Sequence, residues 1–122
     1  MSSIPAERYD LVIQKKAKFY QEFQQVQDNM HPISLAGKTL KCTVKESFSS
    51  SVIIHELTEA NQGMIKVDAA NGVFGMFIPA NQTDVPYDSA VYDIIIQDNI
   101  YPTTETERVV EGKITYTKGV TA

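Results

Sequence analysis

The sequence predicts an all-β, antiparallel fold, a sandwich or barrel of about seven to eight short strands. Three observations carry this. Lys38–Glu46 alternates strictly, with Leu40, Cys42 and Val44 on one face and Thr39, Lys41, Thr43 and Lys45 on the other. Asn71-Gly72 separates two short apolar segments, and this dipeptide supplies the positive φ of a tight hairpin turn. Ala90–Gln97 alternates again, Tyr92, Ile94 and Ile96 against Val91, Asp93 and Ile95.

The elements follow in order. Residues 1–8 read as a polar N-terminal arm on a single domain spanning 1–122. Residues 8–28 support two readings. Tyr20, Phe23 and Val26–Gln27 approximate helical spacing, and the Gln, Glu and Lys content favours helix. Leu11 and Ile13, then Phe19, Gln21 and Phe23, alternate as strands would. Local pattern leans to helix. Asp28-Asn29-Met30-His31-Pro32 is a turn, because Pro blocks continuation and Asn and Asp accept unusual φ. A Ser-rich link, 47–51, precedes the β-branched run Val52-Ile53-Ile54. Gly63–Val67 and Val73–Ile78 form the arms of the Asn71-Gly72 hairpin, and Pro79–Asp84 reads as one helical turn. Asp98-Asn99 and Pro102 mark a loop before the last strand, Arg108–Tyr116, which sets Val110, Ile114 and Tyr116 on one face.

At 122 residues and 13.6 kDa the chain can bury one core without staples. The single cysteine, Cys42, excludes an intrachain disulfide. A net charge of −4 argues against nucleic acid, whose phosphates need clustered Lys and Arg. Lys15-Lys16-Ala17-Lys18 is the nearest approach to such a cluster and reads as a solvated strand end or turn. No apolar run is long enough to cross a membrane. Met1-Ser2-Ser3-Ile4-Pro5 lacks the apolar core of a signal peptide, so secretion is not expected and the Asn81-Gln82-Thr83 sequon carries no weight.

Asp88-Ser89-Ala90-Val91-Tyr92-Asp93-Ile94 resembles the Asp-x-Ala-x-Tyr-x-Cys signature of immunoglobulin-like (Ig-like) β-sandwiches. The resemblance implies that Tyr92 ties the start of its strand back to the preceding inter-strand corner, with Asp88 and Ala90 as structural members of the motif. Ile94 stands where antibody domains carry Cys, and Trp is absent.

Three blocks resemble small Ig-like proteins and domains of tailed bacteriophages, including the N-terminal domain of phage baseplate upper proteins. They are Tyr9–Phe23 with Pro32-Ile33-Ser34-Leu35-Ala36-Gly37-Lys38-Thr39-Leu40, then Met76–Ile94, then Glu111-Gly112-Lys113-Ile114-Thr115-Tyr116 through Thr121. Gly112 holds the glycine position of the closing block. This resemblance implies an Ig-like antiparallel sandwich, strands rather than helix in 8–28, and a structural role in the virion. Baseplate upper proteins continue into a trimeric stalk. The sequence stops two residues after Gly119-Val120, so a stand-alone tail, baseplate or neck adaptor is expected.

Chemistry offers little against that reading. His31 and His55 are the only histidines, and neither has ligand spacing to a second metal-binding residue. Cys42 alternates with Leu40 and Val44 and reads as a buried thiol. Asp84, Asp88, Asp93 and Asp98 read as solvated charges rather than a calcium site, which needs convergent oxygens. No glycine-rich phosphate loop is present. No catalytic, cofactor-binding or metal-binding residue is therefore expected, and no cofactor. The expected partners are other virion proteins, with copies of the chain arranged in a ring, in particles assembled in a bacterial host cytoplasm. The alternatives are a capsid decoration protein, or a carbohydrate- or ligand-binding module using loops 47–51 and 98–106 with Phe48 and Tyr101.

Overall fold

The computed structural model describes residues 7–25, 33–98 and 105–118. They form nine strands: β1 (Glu7–Arg8), β2 (Leu11–Gln14), β3 (Phe19–Gln24), β4 (Lys38–Lys45), β5 (Ile53–Thr58), β6 (Met64–Asp68), β7 (Val73–Ile78), β8 (Ser89–Asp98) and β9 (Glu105–Thr117). One short helix, α1 (Ala80–Thr83), lies between β7 and β8. Two sheets pack as a sandwich. The larger runs β9-β8-β4-β5, with β1 and β2 both laid along the outer side of β9. The smaller runs β3-β7-β6. The strand count exceeds the expected seven to eight because the N-terminal edge is broken into β1 and β2.

The helical lean over 8–28 is overturned where the structure describes it. Leu11–Gln14 and Phe19–Gln24 are strands with alternating burial. Both lie on sheet edges, where pairing with β9 and β7 outweighs the modest helix preference of Gln, Glu and Lys. Between them Lys15–Lys18 makes the turn, with Lys16 at φ 64°. Residues 26–32, with the expected Asp28–Pro32 turn and His31, lie outside the described residues.

Alternation elsewhere converts directly into two inner faces. Leu40, Cys42 and Val44 of β4 stand beside Ile96, Ile94 and Tyr92 of β8, all buried. Phe74, Met76 and Ile78 of β7 face them from the other sheet. Burying each large apolar side chain contributes about 1.5–3 kcal/mol against the entropy of ordering the chain. The β6–β7 hairpin closes through a 3₁₀ turn at Ala69–Asn71, with Gly72 at φ 73°, a left-handed conformation that favours glycine. α1 is the expected turn of helix; its buried Thr83 donates to the Ala17 carbonyl at 2.9 Å and pins this connection beneath the sandwich.

Among the described residues three register shifts adjust the strands, one of them in β6 between Lys66 and Asp68. In β9 a register shift opposite Ile94 and Ile95 buries both Val109 and Val110. At the end of β4, between Val44 and Lys45, a shift leaves Ile53 half exposed and His55 inside.

Candidate interaction surfaces

The Tyr92 hydroxyl donates to the backbone carbonyl of Tyr9, between β1 and β2, and not to the corner ahead of its own strand. Burial raises the Tyr92 phenol well above its ordinary range, so it stays protonated as a donor. Three further contacts gather at the same point. The Tyr9 amide donates to the Glu111 carbonyl at 2.9 Å. The Lys113 amide donates to the Asp10 carboxylate at 2.9 Å. Gly112 lies between them, and a Cβ on it would collide with the Tyr9 carbonyl. Glycine is required there by the close backbone approach. Together these contacts latch the N-terminal strands onto β9.

The other two residues of the motif sit differently. Ala90 is buried opposite Ile114. The Asp88 side chain is exposed and lies 3.7 Å from the Lys15 ammonium, while its carbonyl accepts from the Tyr116 amide at 2.9 Å. Asp88 therefore ties the start of β8 to β9 through its backbone. The sequence marked Tyr92 and Gly112 separately. Their shared partner, Tyr9, was missed, because nothing in the sequence brings residue 9 to residue 92.

Potentially reactive groups are buried in their neutral forms. Burial, and then nearby Asp93, raises the Cys42 thiol far above its ordinary range. Burial raises the Tyr116 phenol to about 12 and lowers the His55 imidazole. His55 Nε2 and the Tyr116 hydroxyl have no hydrogen-bond partner among the described residues, and their rings lie 6.4 Å apart. An activated thiol or phenol nucleophile requires the opposite trend. Among the described residues no group of three or more His, Cys, Asp or Glu is placed to hold a metal ion. Asp93 pairs with Arg108 at 3.0 Å, and Asp84 is exposed. Phe48 is exposed, whereas its expected companion Tyr101 lies outside the described residues. No helix among them is long and apolar enough to cross a membrane.

The surfaces offered to a partner are faces and edges. On the larger sheet β5 pairs, among the described residues, only with β4. On its other side the Thr58 amide donates to Asn61 Oδ1, the Asn61 side-chain amide donates to the Glu56 carbonyl and the Gly63 amide to the Thr58 carbonyl, so only the start of that edge is open. On the smaller sheet β3 and β6 are both edges. The outer face of the smaller sheet is mostly apolar. Tyr20 lies across Gly75, where an added Cβ would fall 2.7 Å from the ring, and Ile65 and Val67 are exposed beyond it. The outer face of the larger sheet carries a shallow depression of about 290 Å³, lined by Thr43, Lys45, Phe48, Val91, Ile95 and Arg108.

The sequence matches no family model and no curated protein. Its fold is similar to a solved structure, the N-terminal domain of phage TP901-1 ORF48. The TM-score is 0.54 at 10% identity, over 88% of this chain and 84% of that one.

Proposed function

We propose that the protein is a non-enzymatic structural component of a tailed phage particle, an adaptor of the tail, baseplate or neck that acts by packing against other virion proteins. The observation that carries this reading is the likeness in fold, over most of both chains, to a domain of a phage protein. The sequence blocks at 9–40, 76–94 and 111–121 lead to the same group. The buried, protonated state of Cys42 and Tyr116 supports a role without chemistry. The latched N-terminal edge supports a block that holds its shape.

On this reading mechanism is assembly. Open strand edges and sheet faces dock on neighbouring proteins, copies of the chain stand around the particle axis in a ring, and the protein resides in the virion. The test is to delete the gene from its phage and image the lysate. The expected result is an accumulation of unjoined or incomplete tails. Normal numbers of complete, infectious particles would overturn the adaptor role.

A further inference from the structure

The outer face of the larger sheet is ordered by charge. Strand register sets its side chains in rows across the sheet, two residues and so about 6.8 Å apart along each strand. One row is basic, with Lys113 and Lys45 on either side of Val91. The next is acidic, running Glu111, Asp93, Thr43 and Glu56, with Arg8 of β1 at its outer end, where it pairs with Asp10 at 3.5 Å and not with Glu111. The third is basic again, with Arg108 and Lys41 flanking Ile95.

The acidic row is bound to only one of its neighbours. Arg108 pairs with Asp93 at 3.0 Å and Lys41 with Glu56 at 3.2 Å. Among the described residues Lys113, Lys45 and Glu111 make no ion pair, so the first basic row keeps two unspent cations and the acidic row one unspent anion. Such a pattern is self-complementary. A two-fold axis lying in the face, across the strands and midway between the first two rows, places the first basic row of each copy over the acidic row of the other. Lys113 then meets Glu111 of the second copy, and the reverse, in the reciprocal contact of an isologous interface. An axis along the strands would stack like on like, which electrostatics disfavours. The same operation brings the turn carrying the exposed Phe48 over the Ile95 end of the partner's depression.

We infer that this face is the docking surface for a second copy of this chain, paired face to face with strands antiparallel across the interface. The pairing closes at two copies. A ring would need a different, head-to-tail contact, so the two readings fail independently, and neither depends on the other.

The test is sedimentation equilibrium of the full chain at low and high salt. The wild type is expected to dimerise, and more weakly as salt screens the rows. K113E and E111K should each weaken self-association by about tenfold or more, because the symmetry counts every like-charge contact twice. An equimolar mixture of K113E and E111K should form a heterodimer of near wild-type affinity, since one copy then presents only anions and the other only cations at the contact. Recovery in the mixture cannot come from a variant that merely misfolds. A wild type that remains monomeric at its highest soluble concentration overturns the proposal. So does a dimer indifferent to both substitutions, or a mixture that fails to associate.

Discussion

The two edges of the larger sheet solve one problem in different ways. On one side β9 would expose its backbone, and β1 and β2 cover it in parallel. That cover is fastened where Tyr92, Gly112, Asp10 and Lys113 meet around Tyr9. On the other side β5 is open only where it begins, beside the half-exposed Val52 and Ile53 and a bulge, because Asn61 and Gly63 take up the backbone groups of Glu56 and Thr58 at its end. An unpaired edge invites another strand, and natural proteins usually blunt it. The contrast separates a side closed along its length from a side left available at its start. The means of fastening differ: a buried tyrosine and a close backbone approach hold the first edge, whereas the second rests on its ladder with β4 and on the Asn61 side chain at its end.

The comparison can be broken most severely at Gly112. Gly112→Val forces a side chain into the Tyr9 backbone and should cost about 3 kcal/mol in urea unfolding. Wild-type stability in that variant would mean the latch yields freely. Tyr92→Phe keeps the ring and removes the donor, and should cost about 1–3 kcal/mol. Hydrogen exchange sharpens the result: protection of the Tyr9 and Lys113 amides should fall while β5 is unchanged. Equal loosening of both edges would show that the latch is not local.

His55 tests the inner side of β5. Its folded pKa lies below the unfolded value, so the unfolded chain binds more protons as the pH drops below about 6.5. Stability is therefore full above that pH and falls beneath it, by at most about 1.4 kcal/mol per pH unit for this one group. His55→Gln should flatten that slope. An unchanged slope would assign it elsewhere. The smallest effect is expected at Glu56 on the outer side of β5. Its pair with Lys41 is exposed, so Glu56→Ala should change stability by less than about 1 kcal/mol. A larger loss would mean that the open edge is held more firmly than its contacts show.

Much of the sandwich was legible in the sequence, because a half-buried strand writes its inner face as a period of two. Leu40, Cys42 and Val44 and their β8 neighbours were placed correctly from alternation alone, and Asn71-Gly72 located its hairpin. The stretch 8–28 was harder. Gln, Glu and Lys there favour helix locally, and only pairing with β9 and β7 decides the matter. The latch was half legible. Tyr92 and Gly112 stood out as residue types, but the partner carbonyl on Tyr9 belongs to the backbone, which carries no sequence signal. The charged rows were invisible for the same reason: Lys113, Glu111 and Lys45 become neighbours only once strand register is known.

The role proposed for this protein requires that it be built into a phage particle. Mass spectrometry of purified mature particles, with tails separated from heads, tests it most directly. The chain is expected in the tail fraction, at a copy number comparable with other structural proteins. Its absence from mature particles would contradict the account.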